Sequence, residues 1–448
     1  MINNMRDRLS TGDKDFSQVL KHSFWGFAVL ALATSLQFFF DLLLARNFGA
    51  EGAGIFYLSL SVLAIAALIS RLGFDKTVIR FLPPLMSRKK WPEVRGLISS
   101  IIKMVSFNAL ILTVAIYLLA PLMAKAVFSN PELTQYIRIL ALGILPFSLT
   151  YVYAGILRGM KLIKEALFIE RAFVYLGGII AIVTLGLIYG IIGLFWGFLV
   201  SIYIAAGAGL IVAKRQIPYN KTLVPFDKKV LLLSATPLFF SAFSNLMFGQ
   251  VSVLALGALA SLEDVGVFNI ALKVSLLMGL VLVGINSISG TKISELHADK
   301  KNLQSLAGKT AALSLTLAIP LLLIFILVPE FILGLFGPEF TNGAAVLIIL
   351  AIGQLFSVGV GSANYILAMT GYENILAKIM FSTLIINAVL SLVLIPIYGI
   401  IGAGIAVTVS MVINSIIQVL VIKNRLDIWS LPFNTISSWI KSSLASRN

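Results

Sequence analysis

The sequence predicts an all-α integral membrane protein: twelve transmembrane helices in two parallel-repeated six-helix bundles around a central cavity. Three observations predict it. Hydrophobic residues make up 59% of the 448, and charged residues only 12%, too few to clothe a soluble globule of this size. Apolar stretches long enough to cross about 30 Å of hydrocarbon recur from end to end. The chain also repeats itself at a spacing of about 210 residues.

Spans are expected at residues 22–44, 53–71, 97–120, 133–157, 168–188, 191–213, 230–255, 265–290, 309–328, 340–368, 376–395 and 399–422. The fifth and sixth touch at Tyr189-Gly190 and together are too long for one crossing, so a tight turn is expected there. This gives a cytoplasmic N-terminal segment (1–21), a first bundle (22–213), a cytoplasmic linker (214–229), a second bundle (230–422) and a tail (423–448). The tail carries Trp429 and Trp439 between polar residues. It is too broken to span, which leaves an interfacial amphipathic segment or an irregular one.

Lysine and arginine test the span list independently of hydropathy. Of the 34, 29 fall in the two termini and alternate connections, among them Arg71–Arg95, Arg158–Arg171, Lys214–Lys229 and Lys292–Lys309. Little more than Arg46 and Lys125 lies on the other side. The rich side is expected to face the cytoplasm, with both termini inside. This also accounts for the net charge of +15 without nucleic acid.

Matching pairs mark the repeat. Gly54-Ile-Phe56 returns as Gly266-Val-Phe268, and Leu140-Ala-Leu-Gly143 as Leu350-Ala-Ile-Gly353. Tyr189-Gly-Ile-Ile-Gly193 returns as Tyr398-Gly-Ile-Ile-Gly402, and Phe128 with Pro131-Glu132 as Phe336 with Pro338-Glu339. Six is even, so both halves enter the membrane in the same direction, and a translocation path belongs between them. Gly190, Gly193, Gly399 and Gly402 suit tight turns or close helix approach, and Pro146, Pro237 and Pro320 are positioned to bend their helices.

Composition excludes several chemistries. There is no cysteine and only His22 and His297, both in polar flanks, so neither thiolate catalysis nor a zinc site is expected. No Gly-x-x-x-x-Gly-Lys-Ser/Thr loop occurs, and no acid–base cluster stands out, so no enzymatic activity is expected. What remains is polar residues inside the spans, which face a protein interior or a wet cavity. Asp41 and Lys273 are the charged candidates. Asn245, on a face with Ser241 and Ser244, and Asn269 are neutral ones. At the cytoplasmic ends Arg71, Lys76, Arg80, Arg158, Lys161 and Lys292 suit an anionic phosphate or serve orientation alone; Arg80, inside Val78-Ile79-Arg80-Phe81-Leu82, and then Arg158 are the preferred candidates.

Ala45-Arg46-Asn47-Phe48-Gly49 with Gly52, Gly54 and Phe56 resembles the first loop of the polysaccharide and oligosaccharide flippase family. So do Gly73-Phe74-Asp75, running into Arg80-Phe81-Leu82-Pro83, and Phe336-Gly337-Pro338-Glu339-Phe340. The resemblance covers roughly residues 20–422. It implies a superfamily shared with multidrug and toxin extrusion antiporters and lipid II flippases, and two bundles opening alternately to each face. The implied location is the cytoplasmic membrane. The implied cargo is a polyprenyl-pyrophosphate-linked oligosaccharide, met by basic residues; Arg46, Arg80 and Lys273 are the positions carried over. The expected cycle moves that headgroup through a polar, cation-bearing passage while the prenyl tail stays in lipid. No cofactor is expected, though Na⁺ or H⁺ coupling at Asp41 stays open. A monomer among membrane lipids is expected, with a polysaccharide polymerase and glycosyltransferases as candidate partners. An organic-cation antiporter and a lipid II flippase are the rival readings.

Overall fold

In the computed structural model the backbone is described for residues 2–218, 223–296 and 299–431, and side chains from Ala28 onward apart from 287, 288, 290, 291 and 294. His297 and the tail beyond Leu431, with Trp439, lie outside the described residues. The described chain is helical almost throughout: α1 (Ile2–Arg71), α2 (Phe74–Ser87), α3 (Trp91–Leu122), α4 (Leu133–Ala141), α5 (Ile144–Gly159), α6 (Ile163–Leu167), α7 (Phe173–Ala181), α8 (Leu187–Arg215), α9 (Lys228–Leu259), α10 (Leu262–Leu276), α11 (Gly279–Glu295), α12 (Lys300–Leu327), α13 (Pro329–Gly334), α14 (Ala344–Gly359), α15 (Ala363–Met369) and α16 (Glu373–Leu426). Among the described residues eight helices are long and apolar enough to cross a membrane, or nine if the α4–α5 pair, bent by 44°, is one span.

Several of these are too long for one crossing, since 54 residues of straight helix reach about 80 Å. The chain solves this at glycine. Gly190 (φ 66°) and Gly399 (φ 56°) leave the helical region inside α8 and α16, in a conformation that disfavours a side chain. The arms then run back on each other. A Cβ on Gly177 would lie 2.4 Å from Ser201 Cβ, and one on Gly197 2.5 Å from Ala181 Cβ. In a straight helix those pairs would stand roughly 24–36 Å apart. The expected turn at Tyr189-Gly190 is therefore present, and its repeat at Gly399 behaves alike. Gly193 and Gly402 have the other role: a Cβ there would lie 2.1 Å and 2.2 Å from the carbonyl oxygens of Leu185 and Leu394. Gly49 (φ 67°) breaks α1 in the same way.

Other expectations hold with altered bounds. The span expected at 340–368 is three pieces: a 3-10 turn at Pro338–Gly343, then α14, then α15 beyond Gly361 (φ 62°). The span expected at 265–290 is present as Leu262–Asn286, with its helix interrupted only at 277–278, between α10 and α11. The bend expected from Pro146 is present: α4 and α5 meet at 44° across 142–143, beside the Leu142 carbonyl that a proline ring at 146 would crowd in a continuous helix. Pro237 and Pro320 lie inside α9 and α12, which continue through them.

The interior is mainly apolar, as in a soluble protein, but so is much of the exterior. Phe107, Ile188 and Leu327 are 67%, 71% and 74% exposed, a pattern suited to hydrocarbon contact. Meanwhile Ser252, Asn387 and Ser391 are fully buried and hydrogen-bonded together, with Asn387 Nδ2 donating to the Phe248 carbonyl at 3.1 Å. Interior hydroxyls and amides tie helices to one another where apolar packing alone has no preference between protein and lipid. The chain is a multi-pass membrane protein. Outside the spans, Asp299 caps α12, and the backbone N–H of Asn302 holds its carboxyl below the usual carboxylate range.

By contacts the chain forms two compact units: residues 1–43, 66–119 and 137–239 make unit one, and 44–65, 120–136 and 240–448 make unit two. The division differs from the repeat boundary at 214–229. Segment 44–65, from the first half, packs with the second, and the beginning of α9 packs with the first.

Candidate functional site

In unit two the site is organised by a crossing of glycines. A Cβ on Gly54 would lie 1.8 Å from the Leu262 carbonyl oxygen, and one on Gly266 2.0 Å from that of Ala50. Small residues let two backbones approach this closely in a membrane. The two glycines are the repeat-related pair of the sequence, so each half contributes the same motif to one contact. α10 is set in register by a capping box between Ser261 and Asp264. From Gly266, Asn269 and Lys273 follow at helical spacings of three and seven, on the face turned to segment 44–65. Asn269 is buried. Lys273 Nζ stands 4.1 Å from the ring centroid of buried Tyr57, a cation–π geometry that gains strength from desolvation. One turn on, Ser61 Oγ donates to Gln250 Oε1 at 2.5 Å.

Also on α9, Asn245 opens onto a cavity of about 220 Å³ whose polar wall is completed by Ser244, Ser357, Asn364, Thr383 and Asn414 and whose apolar wall is Phe248, Met380 and Met411. Its polar lining is entirely neutral. The side-chain carbonyl oxygens of Asn364 and Asn414 are buried and accept no hydrogen bond from the protein. Such a lining replaces water for hydroxyl-bearing groups without attracting either sign of charge. Among the described residues no cluster of three histidines or carboxylates could hold a metal ion.

Arg46 reaches the same unit from the first half. It is exposed, and its Nε donates to the Leu335 carbonyl at 2.7 Å. Beside it Glu339 Oε2 accepts from the Ala50 N–H at 2.7 Å. The loop motifs singled out in the sequence, 45–49 and 336–340, are thus latched together, with Ala50 and Leu335 at their edges as the backbone partners.

In unit one the structure brings forward a cation that ranked low in the sequence. Arg71 is 5% exposed, lies 3.9 Å above the Tyr151 ring, and donates from Nε to the Ala67 carbonyl at 3.0 Å. Its Nη1 is 3.9 Å from Asp75 Oδ2. Asp75 sits in the first turn of α2, where the helix N-terminus favours a carboxylate. Gly73, left-handed at φ 81°, makes the turn that brings the two together. The available signal was positional: Arg71 directly ends an apolar run, with an acid four residues later. By contrast Arg80 is exposed, its guanidinium 6.0 Å from the Phe81 ring, and Arg158 is ion-paired with Glu170, whose side chain is buried. Asp41 is 3% exposed, next to Phe40, which packs on Tyr175 and Phe198 at 5.9 Å.

The sequence model of the family described as "Polysaccharide biosynthesis protein" matches residues 19–290, more than half of the chain, and that described as "MatE" matches residues 237–393. The "Probable low-salt glycan biosynthesis flippase Agl15" of Haloferax volcanii is 24% identical, with 86% of this chain and 79% of that protein covered. Among solved structures, "Lipid II flippase MurJ, inward closed conformation" superposes with a TM-score of 0.73 at 19% identity, covering 89% of this chain and 87% of that one. A multidrug resistance MATE family transporter in an inward-facing conformation gives a TM-score of 0.73 at 14% identity, covering 90% and 98%. At those identities the likeness concerns the fold.

Proposed function

The chain belongs to the polysaccharide biosynthesis protein family, and from that premise we propose that it is an alternating-access flippase, not an enzyme. Its cargo on this reading is a polyprenyl-pyrophosphate-linked oligosaccharide, carried across the cytoplasmic membrane for cell-surface polysaccharide synthesis. The observation that carries the reading is Lys273, a half-buried cation on an apolar helix, beside Asn269 and in the same unit as a neutral amide-and-hydroxyl cavity. A cation in the span suits a pyrophosphate, and neutral amides suit sugar hydroxyls. Desolvating either group in bare hydrocarbon costs several kcal/mol. The named relative supports the same cargo class. Arg80, Arg158 and Arg46 remain candidate contacts at the two membrane faces, with Arg46 also engaged in the loop latch.

The test is flipping of a lipid-linked oligosaccharide by the full chain in proteoliposomes. Lys273→Ala is expected to lower the rate about tenfold, the share of one charge-assisted contact, and Arg80→Ala about threefold, because that side chain is exposed. Wild-type rates in both folded variants reject this site assignment. A second reading, ion-coupled antiport of organic cations, is favoured by one observation, the buried carboxyl of Asp41. Uptake of a cationic dye that needs Asp41, together with no glycolipid flipping, decides for it. If flipping instead depends on a Na⁺ or H⁺ gradient and Asp41→Asn removes only that dependence, Asp41 couples the flippase.

A further inference from the structure

Unit one carries a second cavity, of about 600 Å³, that none of the roles above uses. We infer that it is a binding site for an anionic phospholipid from the leaflet on the basic side of the membrane. The argument begins on α3. Arg95, Ser99 and Lys103 follow at intervals of four, so they form a polar ladder along one face, about 6 Å per step. Lys214, near the end of α8, joins them in the lining. All three charged lining residues are cations.

Orientation signalling does not explain the ladder. Lys103 lies more than three turns into α3, between Ile101, Ile102, Met104 and Val105, a depth at which an ammonium group needs an anion or must reach back to the headgroup layer. The rest of the lining is mostly apolar, with Ile98, Ile102, Ile156 and Leu210 among the walls. Only Ser99 and Tyr153 offer hydroxyls. Such walls suit an acyl chain and hold little for a sugar. A phosphate at the cationic rim with its chain along the isoleucines satisfies both parts, and only a lipid combines them.

The site also touches the linker between the halves. Ile217, Pro218 and Leu223 line it, and just beyond them the Val224 N–H donates to the Pro92 carbonyl at 3.3 Å. Gly96 admits the Val224 carbonyl so closely that a Cβ there would lie 1.7 Å from its oxygen. A bound lipid therefore packs under the linker where it is pinned to the start of α3, and stabilises that attachment. This inference is independent of the cargo.

The experiment uses the full-length protein in neutral detergent, titrated with phosphatidylglycerol or phosphatidylcholine, with bound lipid counted by native mass spectrometry and thermal unfolding followed in parallel. Lys103 and Lys214 are both exposed, so Lys103→Gln/Lys214→Gln is expected to fold, with an unchanged midpoint in neutral lipid. Wild type should prefer phosphatidylglycerol, and the double variant should lose about 25-fold of that preference, roughly fivefold per cation. Ile102→Trp, which fills the wall and leaves the charges, should weaken both lipids. Glycerol 3-phosphate at equal concentration should not compete. Equal binding of the two lipids by wild type, an undiminished preference in the double variant, or full competition by glycerol 3-phosphate each overturns the proposal.

Discussion

Gly54→Leu is expected to destroy the packing of unit two, and even Gly54→Ala should lower stability by about 3 kcal/mol, near the top of the range for overpacking. The added Cβ would start 1.8 Å from the Leu262 carbonyl oxygen, and backbone has no rotamer with which to yield. α10 would have to move as a whole. Because Leu262 opens that helix directly after its Ser261 cap, displacement also loosens the register that places Asn269 and Lys273. Gly266→Ala should behave alike, since its Cβ would meet the Ala50 carbonyl oxygen at 2.0 Å. The double variant should lose less than the sum, because once the helices are spread one Cβ makes room for the other. Gly207→Ala is the control: its Cβ would meet nothing within 4 Å, so the change should be neutral or stabilise α8 slightly. Thermal unfolding of purified protein reads all five. An unaltered midpoint for Gly54→Ala would sink the tight-crossing account.

Arg71→Ala is the second large effect, an expected loss of about 3–5 kcal/mol for breaking a buried charge pair from one side. Arg71 and Asp75 side chains are 6% and 12% exposed, and removing the guanidinium leaves the carboxylate facing an apolar surround. Asp75 Oδ1 accepts no hydrogen bond even with Arg71 present, so little else offsets its burial. The α2 N-terminus is one such offset, which places the loss toward the lower end of the range. Arg71→Ala/Asp75→Asn should recover a large part, since no uncompensated charge remains. Arg71→Lys should recover little, because an ammonium cannot reproduce the planar stack at 3.9 Å from Tyr151 while donating to Ala67. The measurement is again thermal unfolding, and a double variant no better than Arg71→Ala would mean that the pair is not the source of the loss. Since Arg71 ends the apolar run of α1 on the basic side, flipping by the folded Arg71→Ala/Asp75→Asn protein also reads whether this cation contributes to transport.

Much of the fold was legible because the bilayer imposes a one-dimensional rule. A helix crossing hydrocarbon must be apolar for about 20 residues, so spans and their hairpins show up in the sequence. The turn at Tyr189-Gly190 is such a case, as is its echo at Tyr398-Gly399. What did not show is anything that depends on which helix lies beside which. The repeat marked Gly54 and Gly266 as related, and only the structure made them neighbours. Arg46, Arg80, Arg158 and Lys273 could be assigned places along the spans from hydropathy, but not partners. In three dimensions the first latches a loop, the second is exposed over Phe81, the third is ion-paired and the fourth sits over Tyr57. Arg71 was indistinguishable from an orientation signal until Tyr151, 80 residues away, supplied its stacking surface.

Membrane insertion, helix content, hairpin turns and the two-fold repeat follow from hydropathy and glycine placement along the chain, because each is settled within a few turns of helix. Burial, charge partners and cavity walls are properties of pairs distant in sequence. In a chain whose apolar side chains suit lipid and protein equally well, small residues and hydrogen bonds between helices choose those pairs, and that choice exists only once the helices have packed.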